Sequence, residues 1–275
     1  MGRVLHTLPE SNAVWGVTSL DNQLYVLRYR RSEQIEIYNK ESYRLQYCLT
    51  IRALEAMADI ASCGHNRCLY IAGYTDNCIH RVALPDVAAA KWQLNECISG
   101  LSVTDSHTLL AACLQVRKIK EFTTDGKLLR KIQLPMDIMS PQHAVQLSNG
   151  QYVVCHGGPG PLHRVCMIGS DGHVIKSLGG SFGSGTHQMG MPTHLAVDNN
   201  ESVLVVDFNN HRVLLLSPSL TYTGEALSSE QVKWRPRRMF LDGDRGRLYV
   251  AENEVKKGSK FVVGRVVVVN YRLGQ

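Results

Sequence analysis

"VLVVDFNNHRVLLLS", residues 203–217, is two apolar runs that meet at a polar knot of Asp207, Asn209, Asn210, His211 and Arg212. Asp, Asn and His at a bend between strands suit a ligand site. They suit equally well the turn chemistry of a fold that repeats itself. Counterparts elsewhere in the chain decide for the second. "LYVLR" from Leu24, "LYIAG" from Leu69, "LLAAC" from Leu109, "QYVVC" from Gln151 and "LYVAE" from Leu248 align with "VLVVD" from Val203. Successive copies start 40 to 52 residues apart, and the long step holds "LGGSFGSGTHQMGM", a glycine-rich insertion that a surface loop tolerates.

Each copy sits in a wider pattern. An apolar run ending in turn residues precedes it ("AVWGVTSLDNQ", "HAVQLSNGQ", "HLAVDNNES", "RMFLDGDRGR"), and a second run follows ("QIEIYN", "CIHRVAL", "VRKIKEF", "HRVCMIG", "GRVVVVN"). In "FTTDGKLLRKIQL" and "IGSDGHVIKSLGG" an Asp-Gly pair, a strong hairpin signal, leads into a further strand. Only "RALEAMADI" has a brief helical period, too short to assign a helix. Each unit therefore reads as four short antiparallel strands, A to D. Six such units predict an all-β fold, a single six-bladed β-propeller. Strand B is nearly all apolar because it lies between neighbouring blades. The blades fall at about 12–52, 57–95, 98–135, 141–180, 191–228 and 234–275. The last unit lacks a fourth strand, and "GRVLHTL" near the start has no unit. Pairing Arg3–Leu8 with the outside of the last blade closes the ring and removes the open edge.

The unit "PTHLAVDNNESVLVVDFNNHRVLLLS" resembles an NHL repeat, with Arg212 where the third residue of Asn-His-Leu is usual. "PQHAVQLSNGQYVVC" and "PRRMFLDGDRGRLYVAEN" resemble further copies, and the first three blades match mainly by spacing. The chain is similar to the C-terminal NHL propellers of tripartite-motif (TRIM-NHL) proteins. That resemblance implies a recognition domain of a larger chain that oligomerises elsewhere, the domain itself being monomeric. The knot at Asp207–Arg212 is then the link between strands B and C, which every blade repeats.

The chain of 275 residues is 44% hydrophobic and 20% charged, which provides for a sizeable core. No apolar run approaches the ~20 residues of a membrane helix. "MGRVLHTLPE" has no secretory h-region, and His6 stands where a myristoylation signal needs Ser or Thr. The eight cysteines are scattered without a Cys-x-x-Cys pair, which points to reduced, mostly buried thiols and a cytoplasmic location. A net charge of +6 permits an acidic partner without requiring one.

Function in propellers gathers on the links that enter strand A and join B to C, the top face. The fifth residue of each strand-B stretch is expected there: Arg28, Gly73, Cys113, Cys155, Asp207 and Glu252. Basic and aromatic residues concentrate in blades one and six, which ring closure makes neighbours. They are Trp15, Arg28, Tyr29, Arg30 and Arg31 from one, and Lys233, Trp234, Arg235, Arg237 and Arg238 from the other. Arg and Lys neutralise phosphates, and Trp and Tyr offer faces to bases. The leading expectation is a non-catalytic module, not an enzyme, binding single-stranded or hairpin RNA through this face. The alternative is a protein-interaction platform that recruits partners or ubiquitin-ligase substrates.

His143, His156, His163, His194 and His211 fall in blades four and five and are read as ordinary repeat histidines, so neither metal nor cofactor is expected. A metal-dependent propeller enzyme is the minor alternative. Lyase-type relatives use a Pro-His pair where Gln142 and Thr193 stand here. In a lactonase-type calcium ring Asp207 and Glu252 would share places with Arg28 and two cysteines. No Ser-His-Asp arrangement, phosphate-binding glycine loop or HExxH motif appears.

Overall fold

The computed structural model describes residues 2–29, 34–51, 57–158, 160–258 and 261–271. The N-terminal segment carries β1 (Arg3–Thr7) and β2 (Ser11–Asn12). Blade one is β3 (Val14–Leu20), β4 (Gln23–Arg28), β5 (Gln34–Asn39) and β6 (Leu45–Thr50). Blade two is β7 (Met57–Cys63), β8 (Cys68–Gly73), β9 (Cys78–Ala83) and β10 (Ala88–Gln93). In blade three follow β11 (Ile98–Val103), β12 (Leu109–Cys113), β13 (Lys118–Phe122) and β14 (Leu128–Gln133). Blade four holds β15 (Pro141–Gln146), β16 (Tyr152–His156), β17 (Leu162–Ile168) and β18 (Val174–Ser181). Blade five holds β19 (Pro192–Val197), β20 (Val203–Asp207), β21 (Arg212–Leu216) and β22 (Tyr222–Leu227). Blade six has β23 (Arg235–Asp242), β24 (Arg247–Val255) and β25 (Val262–Asn270), with β1 as its outer strand. Each blade is an antiparallel sheet, and the innermost strands β3, β7, β11, β15, β19 and β23 contact one another in a closed ring.

Side-chain alternation explains why strand B is nearly all apolar. In β4, Leu24 and Val26 pack toward blade six while Tyr25 and Leu27 pack toward blade two. The same division runs around the molecule, so that six hydrophobic clusters each lie between two adjacent blades. The outer strands β6, β10 and β14 are largely exposed.

Ring closure follows the expected route with one addition. β1 pairs with β25 from Arg3↔Asn270 to Thr7↔Val267, and Leu8 is buried with its N–H donating to the Val266 carbonyl at 2.8 Å. The added piece is β2, which pairs Ser11↔Gly264 and Asn12↔Val263. Asn253 bridges the seam from the other side, its amide donating to the Val14 carbonyl and accepting from the Val14 N–H.

A register shift recurs at the start of every inner strand: Val14/Gly16, Met57/Asp59, Ile98/Gly100, Pro141/His143, Pro192/His194 and Pro236/Arg238. Such a bulge re-aims the following side chain. It brings residues from different blades together at the central channel. The "RALEAMADI" stretch ends in β7 from Met57, and residues 52–56 lie outside the described residues.

Candidate functional site

The opening knot is architecture. Asp207 is fully buried, and its carboxylate accepts from the Gly190 N–H at 2.6 Å, the Asn210 amide at 2.8 Å and the Arg212 Nε at 2.9 Å. Residues Phe208–Asn210 form a 3-10 turn, and the left-handed position is His211 (φ 54°), not one of the Asn or Asp residues. The expectation that the fifth strand-B residues reach the surface is corrected. Arg28, Cys113, Cys155, Asp207 and Glu252 are all buried below the top face, and so is Gly73.

The channel is set instead by the residues after the bulges. Arg238, only 2% exposed, donates from Nε to Asp59 Oδ1 at 3.0 Å. Its terminal nitrogens reach the carbonyls of Thr193, Arg237, Ala58 and Ser99. Asp59 also accepts from the Ile60 and Leu101 N–H groups. The rings of His143 and His194 lie 3.8 Å apart, with their Nε2 atoms 4.0 and 3.9 Å from Asp59 Oδ2. Gly100 makes this possible, since a Cβ there would come within 2.7 Å of the His143 ring. Burial holds His143 neutral, its pKa lowered to about 4, and lowers that of His194 well below the usual imidazole range, with His143 beside it adding to the effect.

One carboxylate and two neutral imidazoles are a donor set for a borderline cation such as zinc. Here Asp59, His143 and His194 each offer a ligand atom within 4.8 Å of the others. Arg238 already supplies a positive charge to the same carboxylate, and the His143 Nε2–H donates to the Leu101 carbonyl at 2.9 Å. The other histidines do not join them. His156 accepts from Arg164 Nε, His163 accepts from the Met191 N–H, and His211 stands apart beside the Lys233 carbonyl.

The basic sector of blades one and six is divided by burial. Arg28 is 1% exposed and pairs with Glu36 at 2.7 Å, while donating to the carbonyls of Pro9, Asn12 and Gly264. It fastens the N-terminal segment and is closed to any ligand. Arg28 and Arg238 are thereby corrected from surface contacts to internal ones. Arg30 and Arg31 lie outside the described residues. Lys233, Arg235 and Tyr29 are exposed, and Trp15, Trp234 and Arg237 are half-buried.

Of these, Trp15, Tyr29, Trp234, Arg235 and Arg237 line a groove of about 560 Å³ across blades six and one, together with Phe208, His211, Val255 and Val262, while Lys233 does not. One wall is the β24–β25 hairpin, whose nine-residue strands carry Val255 and Val262, 59% and 41% exposed, with Phe261, 79% exposed, just before β25. Guanidinium groups cover the aromatic faces: Arg237 lies 3.8 Å from the Trp15 ring centroid, Arg265 4.2 Å from Trp234, and Arg235 5.6 Å from Phe208. Beneath Trp234, Arg265 grips Glu252 Oε2 at 2.9 and 3.0 Å. Burial nevertheless pushes the Glu252 pKa up to about 7. A second cavity of about 450 Å³ opens beyond Trp15, Tyr29 and Arg237 toward Tyr74, Leu114 and Gln142.

No motif in the sequence singles out Asp59, Phe208 or Arg265, whereas the loop "VKKGSK" of the hairpin wall belongs to the expected basic sector. Aligning the inner strands at Gly16, Asp59, Gly100, His143, His194 and Arg238 would have found Asp59.

Residues 189–214 match the NHL repeat family model. No curated protein matches the chain. Among solved structures, virginiamycin B lyase from Staphylococcus aureus is similar at 12% identity and a TM-score of 0.66, over 96% of this chain and 99% of that one. A chain of a nidogen/laminin complex is similar at 13% identity and TM-score 0.66, over 83% and 84%. Hydrazine synthase from Kuenenia stuttgartiensis is similar at 12% identity and TM-score 0.63, over 90% and 95%. These likenesses carry the fold and nothing specific to tripartite-motif proteins. They do correct the expectation that the chain is no enzyme. Virginiamycin B lyase is an enzyme on this fold, and the channel here holds the Asp59, His143 and His194 cluster. No described helix is long and apolar enough to cross a membrane. The chain is a six-bladed β-propeller with an NHL repeat in its fifth blade.

Proposed function

We propose that this propeller is a partner-recognition domain whose top groove between blades six and one takes a peptide segment of another protein. The observation that carries the reading is the groove itself: aromatic at its base and walled by a hairpin with exposed Val255, Phe261 and Val262. Exposed apolar side chains beside a concave aromatic surface mark protein contacts. The RNA reading is weaker on the same residues. Arg28, Arg238 and Arg265 are spent on carboxylates inside the fold, and Glu254 lines the groove, so a run of phosphates would meet few open cations. The nidogen/laminin neighbour is a propeller in a protein complex, and the resemblance to tripartite-motif propellers likewise implies recruitment of partners.

The test is to pan a random dodecapeptide library on the whole chain and measure the selected peptides by fluorescence anisotropy. Val255→Asp and Tyr29→Ser alter exposed side chains and leave the blade clusters intact, so melting is expected to stay within about 0.5 kcal/mol of wild type. Selected peptides should bind these variants about tenfold more weakly. If none do, or if oligouridine binds at physiological salt while no peptide is selected, the reading fails.

A second reading rests on the channel cluster. If Asp59, His143 and His194 take a divalent cation, stoichiometric zinc should raise the melting temperature of the wild type and not that of His194→Asn.

A further inference from the structure

Buried arginines on the top face almost all have a carboxylate of their own. Arg28 has Glu36, Arg212 has Asp207 and Glu225, Arg238 has Asp59, and Arg265 has Glu252. Half-buried Arg237 has no such carboxylate among the described residues. It sits beside Arg238, and the pair has one buried carboxylate, Asp59, which Arg238 takes at 3.0 Å. His143 and His194 are neutral and supply no compensating charge. The mouth of the channel therefore holds one positive charge too many.

The Arg237 side chain is placed to offer that charge outward. Its guanidinium lies over the Trp15 ring, 3.8 Å from the centroid. Its Nε is buried without a hydrogen-bond partner, and its terminal nitrogens have no protein acceptor among the described residues. Burial and the neighbouring Arg238 bring its pKa down to about 9. Arg237, Trp15 and Tyr29 line both top cavities, of about 560 and 450 Å³, so the guanidinium stands where the two meet. A fork of donors held over an indole ring matches the two oxygens of a carboxylate. The apolar surface on either side suits the neighbours of such a group in a peptide.

We infer that Arg237 is the anchor for an acidic side chain, Asp or Glu, in a peptide whose flanking apolar residues enter the two cavities. This rests on the peptide reading of the groove. It adds the chemistry of the partner: an acidic residue between apolar ones, and not a basic or a purely hydrophobic segment. Of the other charged side chains lining the groove, exposed Arg235 favours the same sign of partner and Glu254 opposes it, so a single acidic residue fits better than a run of them.

The experiment uses dodecapeptides selected on the whole chain and resynthesised with each Asp changed to Asn and each Glu to Gln. One acid-to-amide change should weaken binding to wild type about tenfold. Arg237→Met should lose about as much for the acidic peptide and nothing more for its amide, so that the two losses do not add. Arg237→Lys, which keeps the charge and loses the fork, should fall between. Arg237→Met should melt no lower than wild type, because the side chain removed is a desolvated cation without a counter-ion. If Arg237→Met melts lower, the Arg237→Lys comparison alone decides: equal binding of acid and amide forms to that variant and to wild type overturns the anchor. Peptides that depend on Val255 and Tyr29 but bind acid and amide forms equally overturn the anchor and leave the groove standing. Peptides indifferent to Val255→Asp and Tyr29→Ser sink both. Displacement of the acidic peptide by oligouridine at physiological salt assigns Arg237 to phosphate and overturns the proposal as well.

Discussion

Arg238 and Asp59 show how much a single pair decides here. Both are almost wholly buried, and the guanidinium joins carbonyls from blades two, three, five and six around one carboxylate. Removing one partner of such a pair strands the other in a low dielectric. Arg238→Met should cost about 3–5 kcal/mol in urea unfolding. Asp59→Asn combined with Arg238→Met should recover part of that loss, because the stranded charge goes too. A loss below about 1 kcal/mol for the single variant would mean that Asp59 finds water or another partner. The histidines set the response to acid. Burial lowers His143 and His156 to about 4 and His194 well below 6.5, so the folded chain holds them neutral while the unfolded chain protonates them near 6.5. The unfolded state then binds more protons, and stability falls as pH drops from 6.5 toward 4, by about 1.4 kcal/mol per pH unit for each group. Glu252 has the opposite sign. Its pKa is raised from 4.5 to about 7, so it favours folding below 4.5 and loses that contribution as pH rises to 7. With His163 also lowered by burial, four histidines outweigh Glu252 and Asp207, whose carboxyls burial raises. The urea midpoint should therefore fall between pH 7 and pH 5, and His156→Gln should flatten the fall. An unchanged midpoint would show that the imidazoles are not held neutral.

At the level of the strand, the N-terminal segment is the least self-sufficient element, since β1 has exposed residues on most of its length and only β25 to pair with. Deleting residues 1–8 should leave β25 with an open edge and remove buried Leu8, giving aggregation or a melting temperature lower by at least about 5 °C. A truncated chain that melts like the whole one would show that the ring closes without β1. Arg28→Met should loosen the same segment from the side, because Pro9, Asn12 and Gly264 lose their shared donor. Hydrogen exchange should then quicken in β1 and β2 ahead of the other blades. The closing strand was legible in the sequence because "GRVLHTL" was a strand without a unit and the last unit lacked a strand. β2 was not, because a two-residue strand has no period to read. The inner-strand bulges were also hidden. One extra residue reverses the alternation, so a pattern of period two places Asp59 and His143 on the wrong side. Arg28 read as a surface cation for another reason: the carbonyl it serves at Gly264 is 236 residues away.

Across the whole molecule the apolar core is not one mass. It is six clusters, each built by two neighbouring blades, so no blade has a core of its own and each interface is needed by both of its sides. That distribution was readable from strand B, nearly all apolar up to its last residue, because only a strand covered on both faces needs such a composition. The groove was not, since it depends on which cations the fold consumes internally. A ring of mutually dependent interfaces should unfold as one unit, unlike an open array in which repeats come apart from an end. The three tryptophans test this by their placement. Trp15 and Trp234 flank the closure between blades one and six, and Trp92 packs against the cluster between blades two and three. Trp92→Phe leaves fluorescence that reports the seam, and Trp15→Phe with Trp234→Phe leaves fluorescence that reports the far side. Each variant's urea curve by fluorescence should coincide with its own far-ultraviolet circular dichroism curve, within about 0.3 kcal/mol. If the seam curve precedes the circular dichroism in the first variant, blades one and six part while the rest persists. The closing strand would then be a latch on an otherwise stable arc, and a groove built across that latch would open and shut with it.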